Sequence, residues 1–447
     1  MEQGHIESIK ATRSKIRLQT IAQVLDEFDG SVMELDLHKR NLKYLKMAQS
    51  PFSFYRGSSY LFYYDVSRVW FPFHSSPERP TWIQGDLHFE NFGAYRNESG
   101  FDVFDINDFD EGYVGSYLYD LLRMCVSILL VYRSKELALG KELELSKQKE
   151  ALFEYITAYV EQIEQFAKRK EDPRSLVFDE DQTQGPIRKL LKKLKKRDAG
   201  HLLLSITELA EGSRRFTRTD EMQEPTEAEA AMVRANWPSY LGTLELRTKQ
   251  PESYYTIKDI VFKHGSGTAS IGLNRFYVLI EGKSNQELDD IVVELKEVRG
   301  PVPAYFMPYN ERFWQQCAHQ GQRVTLTQKA MHHEADPLLG YLTMADRHYY
   351  VRERSPFKKK LKVDNIADRG DWLNVLQGMG QITAKIHARA DVDMQLGMVS
   401  HHSEDEIKLA MGEDTEAFKD YIANWALAYV EQVEEDYELF MEWIGQG

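Results

Sequence analysis

QGDLHFENFG (residues 84–93) and FDVFDINDFDEG (residues 101–112) decide how this chain is read. The first places Asp86 and Asn91 in a D-x-x-x-x-N spacing, and the second ends a strand-like run on Asp108-Phe109-Asp110. Between them AYRNES leads into Gly100, a hairpin-turn composition. Phosphoryl transfer needs one carboxylate to orient a hydroxyl, and an amide plus a second carboxylate to hold magnesium. Asp86, Asn91 and Asp108 supply that set in that order. Asp105, Asp110 and Glu111 crowd the same segment, and such a density of like charge is costly unless a cation neutralises it. The plain alternative is a capping Asp86, an Asn91 that satisfies loop backbone, and an acidic hairpin facing water.

Working outward, residues 81–84, 92–95 and 101–106 read as strands. LYDLLRMCVSILLVY (residues 118–132) reads as a buried apolar helix. Residues 15–48 are helical with a break near Gly30, and residues 50–66 are an ordered aromatic loop leading into a packed element. Residues 135–245 are mostly helical and charged, with a polar loop at 218–229. The pattern changes near residue 255. IKDIVFKHGSGTASIGLNRFYVLIEG (residues 257–282) is two strands around a glycine-rich turn, followed by a third strand at 290–298. A helix is expected at 311–322, short strands at 325–331 and 348–353, and helices at 371–390 and 403–444. Gly265, Ser266, Gly267 and Gly272 allow backbone N–H groups to approach phosphates closely. Lys296, in the middle of an apolar strand, needs a partner; a nucleotide phosphate is one, and solvent on an open strand face is the other.

Composition bounds the rest. An apolar share of 42% and 12% aromatics over 447 residues suffice for a real core. A net charge of -14 argues against a general nucleic-acid binder. No apolar run is long enough for a membrane span, and residues 1–15 lack the apolar stretch of a secretory leader. Cys125 and Cys317 form no metal spacing and no disulfide framework, so a reducing cytoplasm is the expected home.

GDLHFEN resembles the G-D-x-H-x-x-N loop of aminoglycoside phosphotransferases and choline kinases. NDFDEGYVGSYLYDLLR resembles their magnesium-binding strand end and the D-L helix after it. The step from Asp108 to Asp120 fits that pattern and selects Asp108 over Asp105 as the metal aspartate. Over nearly its whole length the chain resembles a bacterial family catalogued as domain of unknown function 2252, through SPFSFYRG, GDLHFENFG, FDINDFDE, GSGTASIG, VVELKE, GQR, YYVRE and KIHARA. The resemblance implies an α+β, protein-kinase-like two-lobed fold with a small antiparallel-sheet nucleotide lobe and a large helical lobe. Residues before 81 hold no glycine-rich hairpin, and the helix ending in KIHARAD lies far downstream of the loop it normally runs into. A circularly permuted arrangement follows, which is tolerable where the break falls at an exposed connection. The expected division is a helical and aromatic-loop region at 1–80, a catalytic hairpin and helical lobe at 81–250, a nucleotide lobe at 251–370, and completing helices at 371–447.

By position, the resemblance implies Asp86 as base, Asn91 and Asp108 as Mg2+ ligands, Lys296 as a contact to ATP phosphates, and Gly265, Ser266, Gly267 and Gly272 as the phosphate loop. Asp120 is implied as a buried carboxylate that holds the catalytic loop. Two departures stand out: Gln84 replaces a usual histidine, and the acidic partner of Lys296 has only Glu311 as a candidate. The function expected is an ATP- and Mg2+-dependent phosphotransferase acting on a hydroxyl-bearing small molecule or protein. The alternatives are an inactive nucleotide-binding regulatory module, a nucleotidyl (AMP) transferase on the same site, and a metal-dependent phosphoesterase suggested by Asp86-Leu87-His88. The phosphoesterase lacks further histidine ligands at a defined spacing. Arg56 is either an anion anchor or half of a structural ion pair with a clustered aspartate. The basic stretch 188–197 is either a solvated helix face or a contact for an acidic partner. His332 and His333, beside Glu334, read as ordinary strand-end residues.

Overall fold

The computed structural model describes residues 2–447 except 98, 199, 211, 246–249, 266, 268–270, 285–287, 333–335 and 446–447. Ser266, His333 and Glu334 therefore lie outside the described residues. The chain is mixed α+β, 54% helix and 14% strand, so its antiparallel sheets are small beside the helical body. The helix Leu118–Ala138 carries neither glycine nor proline, is apolar nearly all round, and is buried along most of its length. It packs on Leu145–Ala167 and Thr415–Gly445, and Leu145–Ala167 packs in turn on Arg369–Arg389. The last contact is close: an added Cβ at Gly380 would overlap the Tyr155 carbonyl oxygen and the Ala158 side chain. Gly380→Ala is expected to force these helices apart and cost about 1–3 kcal/mol, read as a lower denaturation midpoint.

The N- and C-terminal helices are tied together by one side chain. The Arg17 guanidinium donates to Asp65 Oδ1 and Oδ2 at 2.8 and 2.7 Å, and to Asp436 Oδ1 and Oδ2 at 2.7 and 2.5 Å. No helix among the described residues is long and apolar enough to cross a membrane.

The largest sheet has the strand order Gly340–Met344, Arg347–Glu353, Ile291–Glu297, Arg275–Ile280, Ile257–Lys263, Met222–Gln223, with every pair antiparallel. Its register sets Lys296 between Tyr350 and Arg275. A separate core with Trp237, Tyr240, Val278, Val293 and Val351 backs this sheet. The hairpin Phe92–Arg96 and Asp102–Ile106 belongs to a three-stranded sheet completed by Lys358–Lys360. A two-stranded pair, Thr81–Ile83 with Tyr113–Gly115, closes around the hairpin's base.

Several elements differ from the sequence reading. Residues 50–66 are not a loop but two helices, Pro51–Gly57 and Ser59–Val66; Ser50 caps the first by accepting from the Ser53 amide, with Pro51 in its first turn. Residues 325–331 are not a strand but the second half of the helix Gln320–Met331. Its β-branched threonines suit a helix because Thr325 and Thr327 donate to the carbonyls of Gly321 and Arg323 four residues back, each at 2.9 Å. The polar stretch 218–229 holds a short strand, and a helix starts at Glu227 on a capping box of Thr226 and Glu229.

Candidate functional site

The loop that carries Asp86 is held from beneath by Asp120. This carboxylate is fully buried and accepts from the Gln84 and Gly85 amides at 2.6 and 3.0 Å. His387, from the helix Arg369–Arg389, donates Nε2–H to Asp120 at 3.2 Å and accepts at Nδ1 from the Tyr159 hydroxyl at 2.9 Å. Gly85 turns the chain at φ +88°, where an added Cβ would overlap the Glu111 carbonyl oxygen. Gln84 joins the two acidic segments. Its Oε1 accepts from the Asp86 amide at 2.9 Å and its Nε2 donates to the Asp108 carbonyl at 3.0 Å, so one side chain ties the two acidic segments together.

Asp86 has a partner the sequence reading missed. Arg123, fully buried three residues after Asp120, donates through Nε to Asp86 Oδ1 at 2.6 Å and rests over the Tyr55 ring. An arginine inside LYDLLRMCVSILLVY is the signal by which it could have been found, because a cation in an all-round apolar helix requires an anion. Burial pushes the Asp86 carboxyl up to about 6 against the pull of Arg123, a value suited to taking a proton near neutrality.

The four carboxylates of residues 105–111 have different fates. Asp105 forms a fully buried ion pair with Lys385 and accepts from the Ile106 amide at 2.9 Å. Asp110 pairs with Lys296; burial opposes charge on both, yet their attraction lowers the Asp110 pKa and raises that of Lys296. The neutralising cations expected for this cluster are thus, for two of its members, lysines of the chain itself. Glu111 accepts from the Val302 amide at 2.5 Å, and burial pushes its carboxyl up to about 7, with Asp86 and Asp110 adding to the shift. The Asp108 carboxylate accepts no hydrogen bond from the described residues and, with Asp86, Asp110 and Glu111, lines one cleft of about 80 Å³.

A raised carboxyl pKa has a definite sign in stability. The folded state holds the Glu111 proton more tightly than the unfolded chain does, so its contribution is present below its ordinary 4.5 and is lost as pH rises through about 7. Glu111→Gln is therefore expected to gain roughly 3 kcal/mol on wild type between mildly acidic and alkaline pH, measured from denaturation curves at the two pH extremes.

Other expected residues are placed as follows. Asn91 is buried and its Oδ1 accepts from the His88 amide at 2.7 Å, closing a 3-10 turn; it does not line the cleft. Gly265 and Gly267 are exposed and lie away from the cleft walls, while Leu273, next to Gly272, is one of those walls. Gly272, at φ +88°, packs against Leu35. Glu311 is exposed at the start of the helix Glu311–Cys317, and Lys296 is paired elsewhere. Arg56 is half-buried in an ion pair with Glu90 at 2.6 Å and donates to His88 at 3.2 Å. The basic stretch 188–197 falls on the helix Gly185–Lys195, whose leucines are buried and whose lysines are largely exposed. His332 is buried, donates Nε2–H to the Ile106 carbonyl at 2.6 Å, and packs edge-on against Phe109.

Asp86 and Asp108 are two of the four carboxylates that line this cleft, and carboxylate oxygens are the kind of donor a hard cation takes. No curated protein matches the chain, and no solved structure does. A family model covers residues 36–443, and the chain belongs to that family, described as "Uncharacterized protein conserved in bacteria (DUF2252)".

Proposed function

We propose that the chain is an ATP- and magnesium-dependent phosphotransferase of circularly permuted, protein-kinase-like architecture, acting on a hydroxyl group of a small molecule or protein. One observation carries this reading: Lys296, on the third consecutive strand around the glycine-rich turn, reaches Asp110, which shares a cleft with Asp86 and Asp108. A phosphate-contact lysine, a metal aspartate and a base are the parts phosphoryl transfer requires. The permutation is supported by Lys385 and His387, which brace Asp105 and Asp120 from a helix that follows the loop in sequence instead of preceding it.

In this reading Asp86 accepts the hydroxyl proton. Asp108 would hold the magnesium; Asn91, whose amide oxygen accepts from the His88 amide outside the cleft lining, could join it only by turning into the cleft. The cation, when bound, neutralises phosphate charge. Arg123 fixes the Asp86 carboxylate while leaving its second oxygen for the substrate.

A second reading, a module that holds nucleotide and transfers nothing, is favoured by Lys296 being engaged with Asp110. It is also favoured by Arg323, not a carboxylate, being the buried charged side chain on the helix Gln320–Met331. Calorimetric titration with ATP, with and without magnesium, tests both. Binding is expected to require magnesium and to weaken at least about tenfold in Asp108→Asn. In Asp86→Ala, binding should persist while nucleotide consumption stops. ADP release marks phosphoryl transfer, and pyrophosphate release marks AMP transfer. Wild type that binds neither ATP nor GTP would sink the proposal.

A further inference from the structure

Residues 107–110 form a wall between two cavities. Asp108 and Asp110 face the carboxylate cleft, whereas Asn107 and Phe109 line a cavity of about 300 Å³ on the other side. That alternation is the one an extended chain imposes. The volume is at the lower end of small-molecule sites, about 300–1,000 Å³.

The charges on this second cavity do not balance. Arg96 is paired with Asp102, and Arg352 with Glu294 at 2.8 Å. Arg354 and Lys358 also line the cavity, and neither has an anionic partner among the described residues. On the acidic side, Asp336 is engaged by the amides of Leu338 and Glu353. Burial and the neighbouring Asp336 push the Glu353 carboxyl up to about 8, so it holds its proton at neutral pH and cancels no positive charge. Burial, with Arg352 and Arg354 nearby, pushes the Lys358 amine down to about 7. Among the described residues four basic side chains, Arg96, Arg352, Arg354 and Lys358, line this cavity against the carboxyls of Asp336 and Glu353, and Glu294, which attracts Arg354 and Lys358, is already taken by Arg352, so a bound dianion would meet a net positive lining.

We propose that this cavity binds a phosphate-bearing small molecule, with Arg354 and Lys358 as its anion contacts. A guanidinium fork matches phosphate oxygens in pairs, and an ammonium adds a point charge. The organic part meets aromatic surface: Phe109, Phe357, and Tyr95 stacked on His332 at 4.8 Å. The cavity and the carboxylate cleft have no lining residue in common, so this site does not depend on the nucleotide reading.

The test titrates inorganic phosphate and phenyl phosphate into the full chain by calorimetry, with neither nucleotide nor magnesium present. Saturable binding is expected, tighter for phenyl phosphate. It should weaken at least about tenfold in Arg354→Gln and in Lys358→Gln. It should be unchanged in the exposed control Arg234→Gln. A second measurement needs no variant. Acetic anhydride at neutral pH should acylate Lys358 ahead of exposed lysines such as Lys189, with phosphate protecting Lys358 as read by peptide mass mapping. Absence of saturable binding by wild type overturns the proposal, as does equal binding by the double variant Arg354→Gln/Lys358→Gln.

Discussion

Asp120→Ala is expected to lower the unfolding free energy by about 4 kcal/mol. The Asp120 carboxylate is the acceptor for two buried backbone amides, Gln84 and Gly85, and for His387. Removing it leaves those donors in a site sealed from water, and each orphaned donor costs about 1–3 kcal/mol. The hydroxyls near it, on Tyr63, Tyr155 and Tyr159, are already engaged with the Gly85 carbonyl, Thr383 and His387. Asp120→Asn keeps one acceptor oxygen but turns an NH2 toward an amide, so it should recover only part of the loss. Guanidinium denaturation monitored at constant m-value measures the difference. A loss below about 1 kcal/mol for Asp120→Ala would mean that the loop carrying Asp86 is held by its other contacts, chiefly Gln84.

The local parts of this site were legible in the sequence, and the long-range parts were not. Asp86, Asp108 and the hairpin between them announce themselves through spacing and turn composition. Asp120 follows from its distance to Asp108 in a known pattern. The partners of the acidic cluster gave no such signal. Like charge in residues 105–111 requires cations, but nothing local says that Lys385 serves Asp105 or that Lys296 serves Asp110, since those pairs form only when distant helices and strands meet. The sequence offers Glu311 on the following helix as the acidic partner of Lys296, and the chain supplies Asp110 instead, two residues after Asp108. Secondary structure failed where two cues competed. Thr325 and Thr327 are β-branched and suggest a strand, but each hydroxyl has a carbonyl four residues back to satisfy, and the helix wins. In residues 50–66 the aromatic density masked a plain Ser50-Pro51 helix start. The strand Lys358–Lys360 has no apolar pattern at all, and exists because Phe92–Arg96 offers it an open edge.

Lys296→Met is expected to cost about 2–4 kcal/mol, because it strands the Asp110 carboxylate, whose side chain is only 21% exposed, without a cation. Asp110→Asn strands the lysine and should cost a similar amount. The double variant removes both charges, so its cost should fall well below the sum of the singles, with a coupling of at least about 2 kcal/mol in the double-mutant cycle. The acid limb separates this pair from its neighbours. The Asp110 pKa is depressed in the folded state, so its contribution is present above the ordinary 3.8 and lost as pH falls through the lower folded value. Wild type should lose stability on that limb, and the double variant should lose less. Nucleotide adds a further constraint. The cleft beside the pair encloses about 80 Å³, well below the roughly 300 Å³ of small-molecule sites. On the proposed nucleotide reading, a bound triphosphate would have to open the cleft and draw Lys296 at least partly from Asp110. Magnesium–ATP should then raise the melting temperature of Asp110→Asn more than that of wild type, since the variant has no ion pair to break. Single substitutions whose costs simply add would show that Lys296 and Asp110 are neighbours without energetic coupling. The lysine would then owe its place to the strand register, between Tyr350 and Arg275, and not to the carboxylate.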